Sequence, residues 1–355
     1  MTNASIRAER AGKVQTVLGL IDPADLGMTL THEHILVDLR CHWFSPDEAS
    51  ERDWIDKPVT FERLGGVTSR FYNLDSMVLL DEQAAVEETY KFMLAGGGSL
   101  VDVTSIGIGR DPLALARISR ATGLNLIMGG GHYVPWAHPP GMDDETEESI
   151  TEALIKDINV GVYDTGICSG LLGELGHGWP MTDNERKALR AAAFTHKETG
   201  APILIHHGFH RDSPMDIIGV LEDAGAALDQ VIMGHLDIFD DKGLLTELLG
   251  TGCFLEWDVF GGEDTAFGKV ADGKIDFLSD EQRLDMIEFV VDQGFADRIT
   301  VAHDTCWKYQ TTRYGGKGYA HLVESIIPRM RRRGFDEATI SAIFIDNPAR
   351  ALTFR

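Results

Sequence analysis

Basic side chains are scarce in this 355-residue chain: 32 lysines and arginines stand against 56 aspartates and glutamates, a formal net charge of −24. A field of that sign repels phosphate backbones and anionic lipid, so neither nucleic acid nor a membrane surface is expected as a partner. Long apolar runs are missing too. Nothing approaches the ~18 consecutive apolar residues of a spanning helix, and Met1 to Arg10 has no apolar signal core. The few cysteines, Cys41, Cys168, Cys253 and Cys306, lie far apart without C-x-x-C spacing. That excludes a zinc ribbon or disulfide framework and predicts reduced thiols in a cytoplasmic protein. Cys168 and Cys253 sit in apolar runs and read as inert core residues. No internal repeat or linker composition divides the chain.

What is present is an alternation. Eight short β-rich apolar runs recur, at Thr29–Val37, Ser99–Ile106, Leu124–Gly129, Gly170–Leu175, Pro202–His207, Gln230–Leu236, Cys253–Val259 and Arg298–Asp304. Most are nearly uninterrupted, as strands buried on both faces are. Amphipathic patterns separate them, at Glu82–Ala95, Pro112–Ala121, Glu147–Ile158, Asp183–Glu198, Pro214–Ala224, Lys242–Leu249 and Asp280–Asp292. Thr182 with Glu185, and Ser279 with Gln282, have the spacing of capping boxes. The expected fold is therefore α/β, a single (β/α)8 TIM barrel over residues 1–355, with its site at the carboxyl ends of the strands. A doubly wound open sheet fits less well, because no Gly-rich phosphate loop follows the first strand. Two connections at that end are long. One, Arg40 to Leu80, carries Trp43, Phe44, Trp54, Phe61, Phe71 and Tyr72, and reads equally as loop packing or substrate wall; the other runs from Phe260 to Phe277.

The chemistry-bearing residues collect at the same strand ends. Strand one closes on Thr31-His32-Glu33-His34, where alternation points both imidazoles one way and Glu33 the other. An H-x-H alone is a weak metal signal. It gains weight because strand four ends at Glu174, strand five at His206-His207, strand six at His235 and strand eight at His303-Asp304. Buried histidines and carboxylates are costly unless paired or coordinating. Four histidines and two carboxylates suit two divalent ions, Zn2+ by default, with Mn2+, Fe2+ or Co2+ as alternatives. Two such ions ~3.5 to 4 Å apart can share a bridging hydroxide formed near neutral pH, which is hydrolase chemistry. Glu174 is the strand-four side chain suited to lie between them.

The set Thr29-Leu30-Thr31-His32-Glu33-His34, Gly173-Glu174-Leu175-Gly176, Ile205-His206, Gly234-His235, Leu255-Glu256, Ala302-His303-Asp304 and Asn347-Pro348-Ala349-Arg350 resembles the phosphotriesterase family of the amidohydrolase superfamily. Within that family it is most similar to the phosphotriesterase-related subgroup, from near residue 12 to the carboxyl end. The resemblance implies that His32, His34 and Asp304 bind the more buried metal and His206 and His235 the more exposed one. Glu174 would bridge both, where many phosphotriesterases use a carboxylated lysine. Asp304 would also orient the hydroxide and take up its proton. Tyr133 falls where lactonase-like members carry a tyrosine near the metal-bound oxygen, and reads as a hydrogen-bond donor or a packing residue. At the end of strand seven, where other members place His or Arg, this chain shows Trp257, so no proton relay is expected there.

Bland roles are expected for the neighbours. His207 and His303 should be structural, and Glu33 should bond outside the ligand set. Asp237 should either hold a ligand histidine or cap a turn. Of Arg110, His210, Arg211, Lys308, Arg313 and Lys317, one or two could hold an anionic substrate group, while most should pair with carboxylates. The resemblance implies hydrolysis of small N-acyl amides typified by N-acetyltaurine. Lactone or ester hydrolysis, with promiscuous phosphotriesterase activity, is the close alternative. A barrel that binds a small ligand without catalysis is the alternative of another class, disfavoured because no expected metal ligand is missing. Dimers are common in the family, so a homodimer is compatible with it.

Overall fold

The computed structural model describes residues 3–70, 72–263 and 277–355. Eight strands run parallel: β1 (Thr29–Glu33), β2 (Ser99–Asp102), β3 (Asn125–Met128), β4 (Leu172–Gly176), β5 (Ile203–His206), β6 (Val231–Met233), β7 (Phe254–Trp257) and β8 (Ile299–Val301). The first three form one ladder and the other five a second, each in sequential order. Backbone hydrogen bonds bridge both seams. Gly170 N donates to Met128 O (2.8 Å) and Gly173 N to Gly130 O (2.7 Å) between β3 and β4, and Asp304 N donates to His32 O (3.1 Å) between β8 and β1. At the first seam a Cβ on Gly129 would lie 1.9 Å from the Gly173 carbonyl oxygen, so only glycine permits the approach. The strands thus form the expected TIM barrel.

Seven helices cross over outside it: α1 (Glu82–Leu94), α2 (Pro112–Thr122), α3 (Glu147–Asn159), α4 (Asp183–Thr199), α5 (Ser213–Asp223), α6 (Lys242–Thr251) and α7 (Asp280–Asp292). Their limits fall close to those read from the hydrophobic period. Both expected capping boxes form, at Thr182 and Ser279. A third, Thr146 with Ser149, escapes the sequence rule because serine replaces the usual Glu or Gln.

Inside the barrel, Val101, Val103, Ile127, Leu171, Leu204, Ile232 and Phe254 pack against Val14 of an amino-terminal hairpin and against Ala351 and Leu352. Asn347 explains the closing Asn-Pro-Ala-Arg motif, since its Nδ2 donates to Ile299 O (2.7 Å) and Ala296 O (2.8 Å) at the start of β8. The carboxyl-terminal helices Ile327–Arg333, Glu337–Ser341 and Asn347–Leu352 go beyond the sequence reading.

The strand ladders stop earlier than expected, at Glu33 in place of Val37 and at Asp102 in place of Ile106. Beyond these points, side-chain carboxylates take over the backbone donors. Asp102 accepts from Ile35 N (2.7 Å) and Thr104 N (3.1 Å), and Glu33 accepts from His303 N (2.9 Å) and Thr305 N (3.0 Å). A buried amide must find an acceptor, and an acceptor on a side chain lets the chain leave the sheet.

The connection after β1 is held by its own aromatics: Trp43 Nε1 donates to Tyr72 O (3.1 Å), and the Arg70 guanidinium lies 4.4 Å over the Trp54 ring. Loop packing is therefore what Trp43, Trp54 and Tyr72 do. Phe71, and residues 264–276 of the connection after β7, lie outside the described residues. All four cysteines are free. Cys253 is buried, which raises its thiol to about 11, while Cys168 is only half-buried and accepts from Arg10 Nη2 at 3.5 Å. Among the described residues no helix is long and apolar enough to cross a membrane.

Candidate metal centre

Five strand ends converge on Glu174, a carboxylate only 1% exposed. Its Oε1 lies 3.1 Å from His34 Nε2, and its Oε2 lies 3.5 Å from His32 Nε2, 3.0 Å from His206 Nδ1 and 3.6 Å from His235 Nε2. Asp304 closes the group, with Oδ1 3.4 Å from His34 Nε2 and 3.9 Å from His32 Nε2. His235 and Asp304 both have left-handed backbones, φ +57° and +47°. Non-glycine residues enter that region at a cost of about 1–3 kcal/mol, and such residues cluster at functional sites.

A ring of polar groups holds these side chains from behind. His34 Nδ1 is 2.9 Å from Thr104 Oγ1. His32 Nδ1 lies 3.2 Å from Glu256 Oε2 and 3.1 Å from Asp258 Oδ2, while His235 Nδ1 lies 2.9 Å from Asp258 Oδ1. Asp258 also accepts from His235 N (2.8 Å), so one carboxylate orients imidazoles on two strands. Asp258 is fixed in turn by Asp237, which accepts from Asp258 N (2.8 Å) and Val259 N (3.2 Å) and pairs with buried Arg283 Nε at 2.6 Å.

The donor set fits metal ions. His32 Nε2 and Glu174 Oε1 are buried and lack a well-aligned hydrogen bond, although Oε1 lies 3.1 Å from His34 Nε2, and each faces the cluster. His206 Nδ1 sits 2.7 Å from His235 Nε2 as well as 3.0 Å from Glu174. Converging lone pairs of this kind are what a cation satisfies and protons satisfy incompletely. Sets of three drawn from these residues, His32-His34-Glu174, His32-His235-Asp304 and Glu174-His206-His235, each bring their ligand atoms within 4.8 Å of one another.

Without metal, protons do part of the work. Burial by itself pushes the His34 imidazole down, but Asp304 and Glu174 outweigh it and raise it to about 9. Burial is likewise outweighed at His235, chiefly by Asp258, which raises it to about 10. His206 is pushed down by burial and by the charge of His235. Both raised values lie above the ordinary ~6.5 of an unfolded histidine. Their stabilisation of the metal-free fold is therefore complete below pH ~6.5 and is lost as pH rises through about 9 and about 10. Metal must displace these protons, so loading at neutral pH is expected to release protons and to tighten with rising pH. Titration calorimetry in buffers of different ionisation enthalpy measures the release; loading without it contradicts a protonated metal-free site.

The cluster forms the floor of a cavity of about 330 Å³ whose wall includes Tyr133, Trp136, Trp179, Phe209 and Trp307. Tyr133 Oη is 3.5 Å from His206 Nδ1. Burial, then the charges of Glu174 and Asp304, holds its phenol well above the usual value, so it keeps its proton at neutral pH.

The structure brings His32, His34, Glu174, His206, His235 and Asp304 together, with Tyr133 beside them. His303 pairs with Glu33 (2.7 Å) and accepts from Leu322 N (3.1 Å), and His207 lies between the carbonyls of Gly208 (2.9 Å) and His235 (3.2 Å). Asp237 neither holds a ligand histidine nor caps a turn; it acts one residue removed, through Asp258. Trp257 is fully buried in the hydrophobic core outside the cluster. Its neighbours Glu256 and Asp258 face the histidines, and their acid-x-acid alternation was the signal available in the sequence. Of the basic candidates, Arg110 pairs with Asp157 (2.9 Å), Arg211 with Glu247 (2.7 Å), Lys308 with Asp75 (2.6 Å), Lys317 with Asp280 (3.6 Å) and Arg313 with Asp81 (3.8 Å). His210 lines the cavity.

The phosphotriesterase family model matches residues 12–352. An N-acetyltaurine hydrolase of Salmo salar is 38% identical over 349 residues, 97% of this chain and 99% of the relative. Among solved structures, a resiniferatoxin-binding protein from Rhodobacter sphaeroides is 34% identical with a TM-score of 0.93, over 97% of this chain and 95% of that one. A lactonase from Listeria monocytogenes is 26% identical with a TM-score of 0.77, over 97% and 99%. With the barrel and its histidine–carboxylate cluster, these matches make the chain a metal-dependent hydrolase acting on small molecules, and it belongs to the phosphotriesterase family.

Proposed function

We propose that this chain, as a single barrel domain, hydrolyses small N-acyl amides at a centre of two divalent ions, Zn2+ first, with Mn2+, Fe2+ or Co2+ as alternatives. The observation that carries the reading is Glu174, a buried carboxylate whose two oxygens lie within 3.6 Å of four imidazoles from three other strand ends. His32, His34 and Asp304 would hold one ion, His206 and His235 the other, and Glu174 both. When bound, such ions supply a hydroxide from water near neutral pH and polarise an acyl carbonyl.

The protein's own groups do the rest. Asp304 is 14% exposed, the most open of the six toward the cavity, and its Oδ1 can take a proton from the attacking water and pass it to the departing amine. That transfer matters because an amide nitrogen leaves only when protonated. Tyr133 Oη keeps its proton and can donate to the developing oxyanion. Glu256 and Asp258 fix the imidazoles from behind, and the aromatic wall limits water at the reacting bond. The four free thiols support a reducing, cytoplasmic setting.

The N-acetyltaurine hydrolase relative supports the amide. The lactonase neighbour favours a second reading, lactone or ester hydrolysis on the same residues. The test is amine release from N-acyl amino acids and N-acyl amino sulfonates by zinc- or manganese-loaded protein, beside the Glu174→Ala variant. Release that disappears in the variant is expected. Hydrolysis of lactones with none of the amides moves the assignment to the second reading.

A further inference from the structure

The cavity wall carries two tryptophans that remain open to solvent, Trp136 at 51% and Trp179 at 37% exposure. Both are held in place. Trp136 sits on the turn Pro135–Ala137, and its Nε1 donates to His42 Nδ1 (3.1 Å). His42 packs edge-on against Tyr133, with ring centres 5.5 Å apart, so this side of the wall is continuous from Trp136 down to the phenol beside His206. Trp179 follows Gly178, which rests directly on the backbone of Gly208; a Cβ there would lie 2.3 Å from the Gly178 carbonyl oxygen. The Trp179 indole stacks flat on the His210 ring, at 5.0 Å and 7°. Both side chains line the same cavity as Leu39, Val134 and Phe277.

Indole surface held rigidly in water is pre-organised for a ligand, because little side-chain freedom remains to be lost on binding. The chemistry of the wall selects the ligand. Among the described residues no lysine or arginine lines the cavity, and the basic loop residues nearby are already paired with carboxylates. Planar aromatic groups gain from stacked or edge-on contact with such a wall beyond their area alone.

We propose that Trp136 and Trp179 are specificity-determining residues that select substrates whose group remote from the scissile bond is an aromatic ring, placing N-acyl aromatic amino acids ahead of N-acylglycine. The inference rests on the N-acyl amide reading above and adds the class of leaving amine. The contact is made by part of the substrate that does not react, so it raises kcat/KM mainly through binding.

The experiment compares kcat/KM for N-acetyl-L-phenylalanine and N-acetylglycine in metal-loaded wild type, Trp136→Ala, Trp136→Phe and Trp179→Ala. A wild-type preference of roughly tenfold or more is expected. It should fall toward one in both alanine variants and persist in Trp136→Phe, which keeps an aromatic face. Calorimetric binding of the same two compounds to the metal-free protein gives a readout that needs no turnover. A wild-type ratio near one, or an equal loss for both substrates in the alanine variants, overturns the assignment. If neither amide is hydrolysed, the N-acyl amide reading fails by itself. Calorimetry then decides the wall separately: tighter binding of the aromatic compound, lost in Trp136→Ala, upholds it, and equal binding overturns it.

Discussion

Glu174→Ala is expected to lower bound metal from about two ions per chain to one or fewer and to reduce turnover by at least ~10³-fold, about 4 kcal/mol of barrier. The carboxylate meets all four imidazoles, so in the proposed two-ion centre its removal would take a ligand from both ions together with the negative charge that offsets them. Removing one buried partner also leaves the others uncompensated, a larger loss than the pair's own net value. The metal-free variant should show the same weakness. His34 loses one of the two carboxylates that hold its proton, and its value should drop from about 9, which is measurable by NMR titration. Elemental analysis of purified variant checks the main result. Two ions per chain in Glu174→Ala would place the metals elsewhere.

Asp304→Asn is expected to leave metal content nearly unchanged and to cut kcat by ~10²- to 10⁴-fold, the range for loss of a positioned proton-transfer group. The amide keeps the size of the carboxylate and one oxygen for the proposed metal contact but could not accept the proton. The backbone of residue 304 also donates to His32 O (3.1 Å), an interaction the substitution leaves intact. Loss in kcat with metal retained separates proton transfer from metal binding. Near-normal kcat in Asp304→Asn removes the proton-acceptor role from that residue.

The parts of this site that were legible in sequence are those that a strand pattern can place. His32, His34, Glu174, His206, His235 and Asp304 sit at the same end of successive apolar runs, and a parallel barrel gathers such ends by construction. Glu256 and Asp258 were missed for a reason of parity. In Glu256-Trp257-Asp258 the large residue draws the eye to the strand end, but alternation sends Trp257 to the helix side and both acids to the histidines. The strand limits were overdrawn because periodicity cannot see where Glu33 and Asp102 capture backbone donors from other segments. Asp237 shows the same limit. Its partner Arg283 arrives from α7, and nothing local in Gly234-His235-Leu236-Asp237 announces it. The basic candidates were legible in outcome, since a chain with 56 acids and 32 bases has carboxylates to spare for surface pairs.

The most direct test titrates metal-free protein with Zn2+ or Mn2+ while bound metal and amine release from an N-acyl amino acid are followed in the same samples. The account predicts that turnover is absent in the metal-free protein, rises with loading and reaches its plateau at two ions per chain. Full turnover in chelator-treated protein, or a protein that takes up no metal while still binding the amide, would contradict it.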